Sequence, residues 1–181
     1  MRSRRFNEVR SQTPAAGLDP AKARARVFQR AAKLLAAKPR SVEELRARLL
    51  QGRGATKEVV EIVIQRLREY GYLNDARFAQ SYASLRVQQR PIGRQRLERD
   101  LRLKKIDQET ANEALDVVFA ATPEEELIAR AIEKRIRLRG RPKSRPEIKK
   151  FFDHLLRQGF AFELIGEKLR AISKVEVDED L

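Results

Sequence analysis

The sequence lacks cysteine and tryptophan, and it contains one histidine and one methionine. The absence of cysteine excludes a disulfide framework and a thiolate metal site. Apolar runs are also short: none approaches the roughly 18 residues that predict a membrane-spanning helix. The Arg-rich start has no apolar stretch behind it, so we expect no secretory signal. Together these absences predict a cytoplasmic protein with no membrane association.

Positive charge is what the sequence has in excess. The 181 residues include 40 Lys or Arg and 26 Asp or Glu, which gives a formal net charge of +14. Residues 86–105 contain 8 basic and 2 acidic side chains, and residues 130–150 contain 10 and 2. Clusters of one sign attract polyanions, whereas a merely solvated surface needs no such clustering. We therefore expect the partner to be nucleic acid or a complex that contains it.

Apolar side chains recur at helical spacing from residue 21 onward, and the alternation typical of strands is absent. Residues 1–20 have no such period and are predicted to be a disordered basic arm. Ser41 with Glu44, and Ser144 with Glu147, have the spacing of a capping box. Further helix starts are predicted at Thr56, at Asp107, and at Thr122 with Pro123 in the first helical position.

The helical stripes repeat with a period near 50 residues. Matching positions are occupied by Leu45, Leu97 and Phe151, and four residues later by Leu49, Leu101 and Leu155. Such a period predicts stacked helical units, each with a small core supported by its neighbours. The predicted fold is all-α, with three tandem three-helix repeat units forming an elongated curved rod. Its predicted segments are the arm at 1–20, the units at 21–73, 74–121 and 122–173, and an acidic tail at 174–181.

Residues 71–79, which we call the corner, join the first unit to the second. Gly71 suits the left-handed position after a helix, and Asn74 or Asp75 can cap the next helix. An ion pair between Asp75 and Arg77 is expected in addition to capping. Aromatic side chains here could stack on bases, but packing at the corner is the favoured interpretation. The predicted structural residues are Gly71, Tyr72, Leu73, Asp75, Arg77 and Phe78, and Tyr82 is expected to pack with them.

The residue inventory contains no catalytic constellation. The single histidine, His154, has no nucleophile or metal partner at suitable spacing, so a packing role is favoured. The glycines at 52 and 54 and at 140 do not form a phosphate-binding loop. We therefore expect no enzymatic activity, no cofactor and no metal.

Two groups of basic residues are the candidates for binding, because guanidinium groups match the oxygens of phosphates and carboxylates. About half of them are expected to face solvent without a role. Charge reversal at Arg94, Arg99 and Arg102 is expected to weaken binding. The candidates are Arg90, Arg94, Arg96, Arg99, Arg102, Lys104 and Lys105 in the second unit, and Arg135, Arg137, Arg139, Arg141, Lys143 and Arg145 in the third.

The corner, from Gly71 to Ala79, and the stretch from Arg90 to Leu101 resemble the RecX family, which regulates the RecA recombinase. The likeness covers residues 25–172, although the third unit matches only in helical outline. Lys105 stands where many relatives have glycine. The resemblance implies three tandem three-helix units and binding in the groove of the RecA filament on single-stranded DNA. It also implies inhibition of recombinase ATPase and strand exchange, and we expect the protein to act as a monomer.

Three other functions compete with this interpretation. A helix-turn-helix transcription factor would need an exposed basic recognition helix, but residues 57–70 are apolar and acidic. A protein-interaction solenoid would bind its partner without affinity for single-stranded DNA and with little dependence on salt. An enzyme is disfavoured by the residue inventory.

Overall fold

The computed structural model describes residues 19–178, and side chains as far as residue 172. Within that range it contains nine α-helices and no strand, which confirms the predicted all-α repeat architecture. We refer to α1–α3, α4–α6 and α7–α9 as units 1, 2 and 3. The predicted arm lies outside the described residues except for Asp19, which caps α1, and Pro20, which begins it. The helices are α1 (Pro20–Ala37), α2 (Val42–Leu50), α3 (Lys57–Glu69), α4 (Asp75–Gln89), α5 (Arg94–Leu103), α6 (Gln108–Ala121), α7 (Glu124–Arg139), α8 (Arg145–Arg157) and α9 (Phe162–Asp178).

Most helix starts have the predicted caps. The side chains of Ser41, Thr56, Asp107 and Ser144 each accept a hydrogen bond from an amide in the first turn. The prediction for Thr122 is wrong, because Pro123 occupies the N-cap position of α7 and no side chain caps that helix. At the other end of the chain, α9 includes residues 174–178, which were assigned to the tail. Residues 179–181 lie outside the described range.

The buried side chains form two apolar clusters in the described part of the chain, where one core per unit was expected. The smaller cluster belongs to unit 1 and contains Leu45, Leu49 and Leu67. The larger cluster is continuous through units 2 and 3, and it joins Leu97 and Leu101 to Phe151 and Leu155. Units 2 and 3 therefore share one core, because their facing stripes bury each other.

Backbone contact between two glycines brings units 2 and 3 together. The Gly93 amide donates to the Gln158 carbonyl at 3.0 Å, and the Gln95 amide donates to the Gly159 carbonyl at 3.1 Å. Because Gly93 has no side chain to cap α5, the carboxylate of Glu124 from unit 3 accepts from the Arg94 amide at 2.9 Å. A side chain at either glycine would overlap the backbone of the other segment. This contact holds the two units at a fixed distance.

Polar contacts join unit 1 to unit 2. Ser41 is fully buried, and its hydroxyl donates to the Lys104 carbonyl at 2.6 Å while it accepts from the Glu44 amide at 3.1 Å. The Lys104 ammonium also binds the Glu44 carboxylate at 2.8 Å. Asp75 accepts from the Val42 amide at 2.9 Å. The start of α2 is thus satisfied by the end of α5 and the start of α4.

Helix α5 ends in a left-handed turn at Lys105. The Lys105 amide donates to the Arg102 carbonyl and the Ile106 amide donates to the Leu101 carbonyl, which are the two bonds of a Schellman motif. Lys105 has a φ of 61°, whereas the equivalent residue after α8 is Gly159, with a φ of 89°. A lysine in this conformation brings its Cβ too close to the following carbonyl.

We predict that Gly93→Ala lowers the free energy of unfolding by about 2–3 kcal/mol, because the new methyl group would overlap the backbone of Gly159 and Phe160. Urea unfolding followed by circular dichroism measures this. Gly166→Ala in α9 is the matched control, since its added methyl group meets only Arg170 at 3.9 Å. That control is expected to stabilise the helix by about 0.5–1 kcal/mol. Equal effects of the two substitutions would contradict the proposed close contact.

We predict that Lys105→Gly raises the free energy of unfolding by about 0.5–1 kcal/mol. Relief of the left-handed strain is worth about 1–2 kcal/mol, and the greater chain entropy of glycine in the unfolded state removes about 0.5–1 kcal/mol of it. Lys105→Ala is the control, because it removes the charge and keeps the strain. If the alanine variant gains as much stability as the glycine variant, strain at this turn is not the cause.

A candidate nucleic-acid interface

A cavity of about 500 Å³ lies between units 2 and 3, and we call it the basic cleft. One wall comes from the end of α4, the linker after it and α5. The other comes from α7 and α8. The walls approach because the Gly93–Gly159 contact closes the bottom of the junction between the units. The lining residues are Arg86, Arg90, Pro91, Ile92, Arg96, Ala131, Lys134, Arg135, Leu138, Arg139, His154 and Gln158.

Asp100 organises the wall formed by unit 2. Its carboxylate binds Arg86 Nη2 at 3.2 Å through one oxygen and Arg96 Nε at 3.4 Å through the other. The Asp100 side chain is only 13% exposed, so it lies behind the two guanidinium groups and does not line the cleft. One carboxylate thus positions two cations, and both retain further donors.

Arg135 is the central cation of the opposite wall. Its guanidinium lies 5.0 Å from the centre of the Phe151 ring, which fixes the side chain by a cation–π contact. Burial, and then the charges of Arg139 and Arg157, hold the pKa of Arg135 below its usual value. A second cavity of about 380 Å³ adjoins this wall and is lined by Arg135, Arg139, Lys150, Asp153 and Arg157. The positive surface therefore extends past the cleft along α7 and α8.

His154 lies at the edge of the cleft and interacts with Gln158, whose amide nitrogen is 2.8 Å from the ring Nε2. Burial lowers the pKa of His154, and the nearby charges of Arg135 and Arg157 lower it further. The ring is therefore neutral near pH 7, with Nε2 able to accept from the Gln158 amide. This arrangement matches the packing role expected from the sequence.

The lining of the basic cleft suits an anion. It contains six Lys or Arg side chains and no carboxylate. Within the described range, Arg86 Nε and Gln158 Oε1 are buried without a hydrogen-bond partner, so the cleft holds an unused donor. Guanidinium groups bind phosphate oxygens through two parallel hydrogen bonds. The chemistry available here is recognition of phosphate or carboxylate groups on a larger partner.

The cleft brings together residues from both predicted basic groups. Arg90 and Arg96 come from the group in unit 2, and Arg135 and Arg139 come from the group in unit 3. Two other candidates are engaged elsewhere: Arg94 binds Asp116 at 2.7 Å and Glu98 at 3.4 Å, and Lys104 binds Glu44. The remaining candidates are exposed and lie outside the lining of the cleft: Arg99, Arg102, Lys105, Arg137, Arg141, Lys143 and Arg145.

Two cations of the cleft were missed from the sequence. Arg86 lies one helical turn before Arg90 on α4, so the spacing of the two residues could have found it. Lys134 lies directly before Arg135, inside the basic run that was recognised. Their contribution follows from the position of α7 against α4, which the pattern of charge alone does not show.

The corner is organised differently from the prediction in two respects. Asn74 caps α4, while Asp75 turns away to cap α2, and Arg77 donates to the Gly71 carbonyl at 2.6 Å. The expected Asp75–Arg77 ion pair is therefore wrong. Burial raises the pKa of the Asp75 carboxyl, and the bond from Val42 partly offsets this.

The expected aromatic packing holds for only part of the set. Phe78 and Tyr82 stack at 6.0 Å between ring centres and pack on the larger apolar cluster. Tyr72 is 66% exposed, so its predicted packing is wrong. The reason is the Schellman turn at Gly71, whose φ is 71°: it buries Leu73 and directs Tyr72 outward against the edge of Tyr70.

The described residues include no group of three metal-ligating side chains placed to hold an ion. None of the helices in this range is both long enough and apolar enough to span a bilayer.

Comparison with known proteins matches both of the first two units. Residues 28–67 match the family model described as RecX, first three-helix domain, and residues 74–115 match RecX, second three-helix domain. A "Regulatory protein RecX" of Treponema pallidum is 39% identical over 110 residues, which cover 61% of this chain and 66% of that protein. The chain thus spans just under two thirds of the length of that relative.

Two further similarities extend over more of the chain. A "Regulatory protein RecX" of Thermobifida fusca is 32% identical over 152 residues, covering 81% of this chain and 80% of that protein. The crystal structure of RecX from Lactobacillus salivarius superposes with a TM-score of 0.74 at 21% identity, covering 83% of this chain and 99% of the other. On these sequence matches and the shared helical architecture, the chain belongs to the RecX family of regulatory proteins.

Proposed function

We propose that this protein is a negative regulator of homologous recombination that binds the RecA filament on single-stranded DNA. It binds in the helical groove of the filament and lowers both the ATPase and the strand-exchange activity of RecA. The protein acts as a monomer in the cytoplasm. Membership of the RecX family supports the regulatory role, and the basic cleft is the single observation that carries the mode of binding.

The cleft supports this function because it is preorganised for extended anionic surfaces. Asp100 and Phe151 hold guanidinium groups on opposite walls, so little side-chain entropy is lost on binding. The walls belong to different units, and a partner bound between them contacts both at once. A nucleoprotein filament presents phosphates and protein carboxylates along a groove, and both are ligands for guanidinium.

The activity itself is tested by adding the purified protein to RecA on single-stranded DNA. We expect ATP hydrolysis and strand exchange to fall as the protein concentration rises, with inhibition complete at saturation. Unchanged hydrolysis and exchange at saturating protein would refute the proposed function.

We predict that the double charge reversal Arg90→Glu, Arg139→Glu weakens binding to the filament by about 10²-fold or more at 0.1 M salt. Each substitution removes a phosphate contact and adds repulsion on one wall. Both side chains are exposed, so the helices should remain folded. For free single-stranded DNA, the slope of log K against log salt should decrease by roughly 0.7 per lost contact.

Arg99→Glu, Arg102→Glu is the matched control, since it makes the same change in formal charge at exposed positions outside the cleft. It is expected to weaken binding far less than the cleft variant. Equal losses would mean that net charge alone determines affinity. A larger loss in the control would place the interface on the exposed face of α5.

A further inference from the structure

A second surface depression, distinct from the basic cleft, lies where unit 1 meets unit 2. It has a volume of about 480 Å³, and we call it the aromatic groove. Its floor and one side come from α4, and its other side comes from the end of α1 and the linker after it. The lining residues are Leu35, Lys38, Pro39, Arg40, Tyr72, Asn74, Arg77, Phe78, Ser81, Tyr82, Leu85 and Lys104.

The groove exposes aromatic and apolar surface that the two cores do not bury. Tyr72 is 66% exposed and Leu85 is 52% exposed. Phe78 and Tyr82 stand next to them as a stacked pair, with an angle of 21° between the ring planes. The edge of Tyr70 lies 6.3 Å from the centre of the Tyr72 ring and leaves most of that ring accessible. These flat surfaces are suited to another planar ring.

The charges around the groove specify an anionic partner. Four basic side chains line it, and no carboxylate does. Arg40 Nε is buried with no hydrogen-bond partner in the described structure, and Lys38 is exposed at the rim. Arg77 uses one nitrogen on the Gly71 carbonyl and keeps its other donors. A partner that joins flat apolar rings to regularly spaced negative charges fits this lining.

The groove and the basic cleft lie along the same helix. Phe78 and Tyr82 line the groove, and Arg86 and Arg90 continue the same four-residue spacing into the cleft. From Phe78 to Arg90 the rise along α4 is about 18 Å. An extended strand of a few nucleotides spans that distance, so the two surfaces form one continuous path.

We propose that the aromatic groove is a base-stacking site for single-stranded nucleic acid. An unpaired base stacks on Tyr72 beside the Phe78–Tyr82 pair, and the flanking phosphates contact Lys38, Arg40 and Arg77. The strand then follows α4 to the basic cleft. The proposal rests only on that part of the proposed function in which the protein contacts single-stranded DNA.

The test compares two fluorescent oligonucleotides of equal length, one of thymidines and one of abasic deoxyribose phosphates. Wild-type protein is expected to bind the thymidine strand about tenfold more tightly, because each stacked base adds to affinity and both strands carry the same phosphates. Tyr72→Ala should reduce that ratio to near one, and Tyr72→Phe should preserve it because the ring remains. Since Tyr72 is exposed, neither substitution should affect folding.

Phe162→Ala is the matched control, because Phe162 is 61% exposed and lies in unit 3 away from the groove. It should leave the ratio unchanged. The cleft variant Arg90→Glu, Arg139→Glu should weaken binding of both strands by the same factor. A wild-type ratio of one, or a ratio unaffected by Tyr72→Ala, would overturn the proposal.

Photocrosslinking gives an independent readout. A strand containing 5-iodouracil is expected to crosslink to Tyr72, Phe78 or Tyr82, and mass spectrometry identifies the residue. Crosslinks confined to other residues would overturn the proposal. If Tyr72→Ala weakens binding to the filament and not to the free oligonucleotide, the groove binds protein and the proposal fails. Loss of RecA inhibition with retained base-dependent binding would refute the proposed function alone.

Discussion

The backbone contact between Gly93 and Gly159 is the constraint on which the binding surface depends. Two amide–carbonyl bonds at 3.0 and 3.1 Å join the start of α5 to the end of α8, at a separation that only glycine permits. The same contact lets Glu124 cap α5 across the junction. Because the units approach so closely there, their apolar stripes merge into one core, and the basic side chains of α4 and α7 face each other across a narrow cleft.

The two junctions between units differ in physical character, and so do the surfaces beside them. Units 2 and 3 are joined through a shared apolar core, and their outer seam is lined by cations. Units 1 and 2 are joined by hydrogen bonds from Ser41, Asp75 and Lys104, and the seam beside these contacts exposes aromatic rings. The polar junction satisfies helix ends without burying Tyr72 or Leu85, so flat apolar surface is left accessible beside basic side chains. Helix α4 borders both seams and connects them.

Much of the fold was predictable because each helix has strong local signals. The side-chain caps at Ser41, Thr56, Asp107 and Ser144 lie where their spacing indicated, and the apolar stripes are the buried faces. The failures occur where a side chain has a distant partner. Asp75 caps α2 and not its own helix, and Glu124 caps α5, so local capping and ion-pair rules misassigned Asp75 and did not place Glu124. The cleft was only partly predictable for the same reason: Arg90 and Arg139 lie 49 positions apart in the sequence, and local rules say nothing about the distance between them.

The sequence by itself determined the helical repeat, the excess of positive charge and the tight turn at Gly71, since each depends on residue type and short-range spacing. Tertiary structure decided which cations act together. It paired Arg94 with Asp116, placed Arg86 and Arg96 on one carboxylate, and set them opposite Arg135. It also decided that Tyr72 faces outward while Leu73 is buried. These outcomes depend on how closely one unit packs on the next, and that distance is set by contacts between residues far apart in the chain.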